Sequence, residues 1–194
     1  MALSYPLSFP SVGITSINMR LRRSVAVSQS PFSYQQQTHD FGGALWEAEV
    51  TLPPLSYAEA RAVEVFLLGL NGMSKTFTMG HPLHTATGSV YVDATSGNTP
   101  AIGNTTLTLD GSAVDAGTYF SISNRLYMLL EDKASGSSDG AKDIAPPLRT
   151  APSHATQIEL AAPVGTWRLA SNDIGFSTDS AGMYGFTFAC IEAL

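Results

Sequence analysis

The chain has 194 residues, 44% of them hydrophobic and 13% charged: enough apolar surface for a large core, but about half the charge usual in a soluble protein. A net charge of −6, with no basic tract beyond Arg20, Arg22 and Arg23, leaves free nucleic-acid binding without electrostatic support. One cysteine, Cys190, excludes an intrachain disulfide, and the longest apolar run, "AVEVFLLGL", is too short to cross a bilayer.

The opening "MALSYPLSFP" lacks a charged n-region and a continuous apolar stretch, so no signal peptide is expected and the chain reads as one assembled in a reducing cytoplasm. The first strand is "TSINMRLRRSVAV", where Ile17, Met19 and Leu21 alternate with Asn18, Arg20 and Arg22; period two means one buried face and one facing solvent or a partner. Residues 28–43, "SQSPFSYQQQTHDFGG", are polar, nearly uncharged and end in a glycine pair, which reads as a long loop or an extended hairpin arm. In the strand "ALWEAEVTL" that follows, Trp46, Ala48, Val50 and Leu52 share one face.

The period then changes. In "PPLSYAEARAVEVFLLGLNG", Ser56 and Glu59 form a capping box, Val63, Phe66, Leu67 and Leu70 fall on one stripe, and Asn71-Gly72 supplies a left-handed stop. This predicts a helix packed on the sheet, with Glu59, Arg61 and Glu64 outward. After the short strand "KTFTM", residues 85–162 become a series of short strands joined by small-residue turns: "SVYV", "TTLTL", "TYFSI", "RLYMLL" and "TQIEL". Five strands at this spacing predict a small barrel or sandwich, with Asn124 at a tight hairpin turn. The last segment returns to long strands, and Tyr184, Phe186, Phe188 and Cys190 make its end too apolar to stand alone; the nearest sheet to join is that of residues 14–52. Residues 1–84 hold five basic and five acidic side chains, residues 85–162 four and eight, and residues 163–194 one and three, so the middle block is the acidic one. The expected organisation is a discontinuous host domain, 1–84 plus 163–194, with a barrel-like domain, 85–162, inserted at a surface loop.

Candidate chemistry is sparse. His81 and His84 are three apart with Pro82 between them, so no helix presents them to a metal, and His39 and His154 lie in polar loops. Gly80, His81, Pro82 and His84 instead read as a rigid joint, the hinge from host to insert, where proline fixes φ and glycine permits the bend. Asp110, Asp115, Glu131, Asp132, Asp139 and Asp143 fall in turns and at strand ends, and none pairs up as a glycosidase requires. "DKASGSSDG" lacks the oxygen spacing of an EF-hand, and Cys190 in an apolar strand reads as core. No G-x-S-x-G, P-loop or G-x-G-x-x-G occurs; neither cofactor nor metal is expected. Candidate subunit contacts are Arg20, Arg22 and Arg23, which read equally as a solvated face balanced by Glu47 and Glu49, and the arm residues Phe32, Tyr34, Gln35, Gln36 and Gln37.

Three segments together carry a family resemblance: "FGGALWEAEVTLPPLSYAEARAVEVFLLGLNGMSKTFTMGHP", "AGTYFSISNRLYMLLED" with "APPLRTAP", and "GTWRLASNDIGFSTDSAGMYGFTFACIEAL". In order and texture they resemble the distal tail protein of long-tailed, siphovirus-type bacteriophages. The resemblance implies a mainly β fold: a tube-like β-sandwich ring domain flanked by one α-helix, here Ser56 to Leu70, with an inserted small OB-like β-barrel on the outside. It implies six copies closing into a ring in the virion tail, joining the tail tube protein to the tip hub protein, with DNA only as passing cargo and a fibre or receptor-binding protein as a further partner. It implies no catalytic residues and no membrane insertion. The large C-terminal domain of many such proteins has no counterpart here. A tube or tail-completion subunit is the neighbouring alternative. Readings of another class are a carbohydrate-binding module presenting Tyr91, Tyr119 or Tyr127, for which barrel core is the plainer assignment, and a cell-wall hydrolase, which lacks a cleft signature.

Overall fold

The computed structural model describes residues 4–82, 84, 86–95, 99–136, 140–178 and 182–194. Strands make up 46% of the structure and helix 9%, so the fold is mainly β with one α-helix and a barrel-like sheet. The described residues form β1 (Leu7–Ser8), β2 (Ser16–Gln29), β3 (Gln36–Thr51), α1 (Tyr57–Gly69), a 3-10 turn (Gly72–Ser74), β4 (Phe77–Gly80), β5 (Val90–Val92), β6 (Thr106–Gly111), β7 (Tyr119–Ile122), β8 (Arg125–Leu129), β9 (Ala141–Ala145), β10 (Gln157–Ile158), β11 (Val164–Leu169), β12 (Phe176–Thr178) and β13 (Tyr184–Glu192).

The first sheet has the order β1-β4-β11-β13-β3-β2, with β12 alongside the start of β13. It is built from both ends of the chain: β13 runs antiparallel to β3, from Thr187 opposite Thr51 to Ile191 opposite Glu47. The apolar terminal strand thus lies beside the strand whose period-two pattern matches its own. Trp46, Ala48 and Val50 point inward with Phe77, Met79, Trp167 and Leu169, and α1 closes over them through Ala60, Val63, Phe66 and Leu67. The helix starts where Ser56 N–H donates to Glu59 Oε2 at 3.0 Å, the capping box read from the sequence. It stops at Leu70, after which Asn71 (φ 50°) and Gly72 (φ 63°) turn the chain through the left-handed region.

The second sheet has the order β10-β5-β6-β9-β8-β7. Reciprocal bonds between Ser121 and Glu159 (N···O 2.9 and 3.0 Å) join its first and last strands, leaving a nearly closed barrel. Its interior is filled by Val90, Leu109, Phe120, Tyr127, Ile144 and their neighbours. Strand β9 was not anticipated. It lies just beyond the glycine- and serine-rich turn, and Lys142 and Asp143 break any apolar alternation; Ile144 and Ala145 are its buried residues.

Hairpin β7–β8 is shared by both cores. It turns at Ser123 and Asn124, both with positive φ (52° and 58°), the geometry of a two-residue hairpin loop. Phe120, Ile122, Tyr127 and Leu129 face the barrel interior, while Tyr119, Leu126 and Met128 pack into the core under the first sheet. Alternation along one strand pair therefore fastens two hydrophobic cores together. Among the described residues no helix is long and apolar enough to cross a membrane.

Candidate assembly surfaces and the joint between the two sheets

Strands β2 and β3 pair in register from Ser16/Thr51 to Arg23/Ala44, then slip and resume at Val25/Asp40. Phe41, Gly42 and Gly43 stand opposite Ser24 alone in this bulge. Gly42 takes φ 71°, and its N–H is held by Asp40 Oδ1 at 2.7 Å. A bulge of this kind re-aims a strand pair. Beyond it the hairpin leaves the sheet altogether, so segment 28–43 is an arm rather than a loop. Residues 22–29 and 31–43 are all exposed. The arm ends in a turn where Tyr34 N–H donates to Ser30 O (3.0 Å) and Ser30 N–H to Gln35 O (2.9 Å), with Tyr34 at φ 56°. This turn projects Phe32 (95% exposed) and Tyr34 (74% exposed) into solvent; Gln35, Gln36 and Gln37 lead back down.

Arg20 and Arg22 lie on the outer face of the first sheet, below the arm. Arg20 Nε donates to Glu47 Oε2 at 2.6 Å and Arg22 Nη1 to Glu47 Oε1 at 3.4 Å. The Arg20 hydrogen bond, seconded by Arg22, holds the Glu47 carboxyl below the ordinary carboxylate range. Glu47 accounts for both arginines, and Glu49 forms no part of the pairing. Arg23 sits at the bulge, at the root of the arm.

The joint at Gly80, His81, Pro82 and His84 is more than a bend. Gly80 pairs with Val164, so the segments that lead into and out of the barrel run side by side. A Cβ on Gly80 would lie 2.5 Å from the Pro163 carbonyl oxygen: glycine is required here for close approach of two backbones, not for a left-handed φ. His81 stacks on Tyr119 (centroids 5.2 Å, planes 13° apart), His84 meets the same ring edge-on at 5.7 Å, and Trp46 lies tilted to it at 6.0 Å. Burial, and then the nearby His84, push the His81 pKa down. An unfolded histidine titrates near 6.5, so the unfolded chain takes up this proton first as pH falls. Stability should therefore drop as pH is lowered through about 6.5, with the loss complete below the folded value. His81→Phe, which keeps a ring on Tyr119 without a proton site, should flatten the decline in urea midpoint between pH 8 and pH 5; an unchanged decline would show that His81 does not couple to folding.

A second fastening was not read from the sequence. Arg149, in the loop after β9, donates from Nε to Glu192 Oε1 (3.3 Å), from Nη2 to Glu192 Oε2 (3.1 Å), and also to Ala44 O; its own N–H donates to Tyr127 Oη at 2.9 Å. Glu192 is 5% exposed and also accepts from Trp46 N–H at 3.2 Å. Arg125 donates to Ala193 O, and Trp46 Nε1 to Leu126 O at 3.0 Å. The signal was there in part: Glu192 occupies an inward register position on an otherwise apolar strand, and a buried carboxylate needs a cation. Its partner, 43 residues earlier, has no local signature.

The structure places the groups considered for chemistry apart from one another. Burial pushes the Cys190 thiol up to about 12, which leaves it no thiolate at neutral pH. Asp110, at the end of β6, accepts from Gly111 N–H and Asp132 from Ala116 N–H, and Asp115, Glu131 and Asp143 are exposed; Asp139 lies outside the described residues, as does part of the "DKASGSSDG" loop. In the rest of that loop the Lys133 ammonium, 2% exposed, donates to the carbonyls of Gly111, Ser112, Ala134 and Gly136, so the oxygens that a cation would seek are turned toward the chain's own. Among the described residues no three His, Cys, Asp or Glu side chains gather as a metal site would need. His154 Nδ1 lies 3.5 Å from Asp93 Oδ1, and His39 packs edge-on against Phe41 in the arm. Of the tyrosines considered for glycan binding, Tyr127 is fully buried and Tyr119 is enclosed by the two histidines and Trp46, whereas Tyr91 is 38% exposed. No protein-family model matches the chain, and no curated protein matches it in sequence.

Proposed function

We propose that the protein is a non-enzymatic structural subunit of a long-tailed phage, a distal-tail type of component. In this reading six copies close into a ring between tail tube and tip hub, DNA passes through the centre, and the barrel, OB-like in this reading, faces outward toward a fibre or receptor-binding protein. The observation that carries it is the arm. A two-stranded hairpin with no third strand and no core beneath it is marginal in water, yet this one presents Val25, Val27, Phe32, Tyr34 and Phe41 to solvent with Asp40 as its single charge. Such a segment gains its stability by lying against another molecule. Its source strand β2 is also a sheet edge, the other edge being β1, and a head-to-tail ring is the arrangement that uses up both.

Light scattering tests this reading with two chains, the full one and one in which residues 25–40 are replaced by an Asn-Gly turn. The full chain should give a mass about six times that of one copy, as a closed cyclic assembly requires, and the trimmed chain the mass of one copy. Equal masses for the two would remove the arm from assembly and the reading with it.

A further inference from the structure

Helix α1 is apolar on two sides. Ala60, Val63, Phe66 and Leu67 face the core. On the far side Tyr57, Val65 and Leu68 are 64%, 65% and 67% exposed, with Ala58 and Ala62 between them. At 3.6 residues per turn, positions 57, 58, 61, 62, 65 and 68 fall on one continuous arc, bordered by Glu64. The sequence reading placed Glu59, Arg61 and Glu64 outward, but this arc is mostly hydrocarbon. A second apolar face of this size on a helix marks a surface that another molecule covers. Within the arc stands one charge, Arg61, whose guanidinium rests 5.9 Å over the Tyr57 ring and which forms no ion pair among the described residues.

The arm is its complement in three respects. It too presents large apolar side chains to solvent, Val25, Val27, Phe32, Tyr34 and Phe41. It carries one charge, Asp40, opposite in sign to Arg61 and, among the described residues, in no ion pair; its Oδ1 accepts from the backbone of Gly42. Its length matches: the arm beyond the bulge and the thirteen-residue helix each extend on the order of 20 Å. The arm does not cover the helix of its own chain, since both are exposed in the same molecule.

We propose that the arm of one copy lies along the outer face of α1 of the next copy, with Asp40 against Arg61. The proposal rests on the assembly reading above and names the surface that receives the arm. Donor and acceptor are different patches, so the contact is heterologous and each copy hands its arm onward; such contacts form a ring when the rotation closes.

The test combines charge reversal with cross-linking in the full chain. Asp40→Arg and Arg61→Asp should each weaken self-association about tenfold, as loss of a covered charge pair does, and the double variant should restore it. Both residues are exposed, so each variant is expected to fold, which circular dichroism checks. A benzophenone side chain installed at Val65 should cross-link to residues 24–43 of another chain. Cross-links to a neighbour's arm within six-fold rings support the docking and the ring. Cross-links to the arm within pairs of chains alone keep the docking and overturn the ring. Rings whose cross-links avoid the arm, with no restoration in the double variant, overturn the docking and keep the ring. A single-chain mass at every concentration, without cross-links, overturns both.

Discussion

Arg149→Ala is expected to lower the stability of the protein by about 3–5 kcal/mol, the range for removing one partner of a buried ion pair. The reason is what stays behind. Glu192, with a side chain only 3% exposed, would keep its charge with no cation beside it, held by Trp46 N–H alone. Ala44 O would lose its partner too, while the Tyr127 hydroxyl would keep the backbone N–H of residue 149. The buried pair is not itself a large source of stability, because desolvating both ions offsets most of their attraction. It follows that Arg149→Met combined with Glu192→Gln should recover most of the loss: the carboxamide oxygen still accepts from Trp46, and no charge is buried. Urea denaturation of the three variants checks this. A single variant as stable as the parent, or a double variant no better than the single, would mean that the interlock does not hold the two sheets together.

Phe66→Ala should cost a similar amount, about 3–5 kcal/mol, for a different reason. Phe66 sits between two rings, edge-on to Phe9 at 5.5 Å and to Phe77 at 5.3 Å, and links the N-terminal segment, the helix and the sheet. Deletion of the ring opens a cavity between the Phe9 and Phe77 rings that the packed core closes only in part. Phe66→Leu refills most of the volume and should lose considerably less. Thermal or urea unfolding measures both; a loss below about 1 kcal/mol for the alanine variant would show that the site collapses and that α1 is loosely docked.

What could be read from the residues was whatever repeats at short range. Ile17, Met19 and Leu21, and then Trp46, Ala48 and Val50, alternate cleanly because one face is core. Val63, Phe66, Leu67 and Leu70 stand at helical spacing for the same reason. The unpaired apolarity of residues 184–190 pointed to a missing sheet partner, and β13 does lie against residues 47–51. Three features escaped. Strand β9 escaped because Lys142 and Asp143 interrupt its pattern. The second apolar face of α1 escaped because the core stripe explained the helix, and Tyr57, Val65 and Leu68 were left as background. The Arg149–Glu192 interlock escaped because a contact across 43 residues depends on how two sheets are stacked, which no local period encodes. The contact of His81 and His84 with Tyr119 could not be read either, since it depends on strand β7 of the barrel folding back beside them.

The most direct measurement is an electron micrograph of the purified full chain in negative stain at high concentration. Six-fold annuli with an open centre are the expected result, and they should vanish when the hairpin is trimmed. Isolated globules at every concentration, or annuli that persist without the hairpin, would contradict the account.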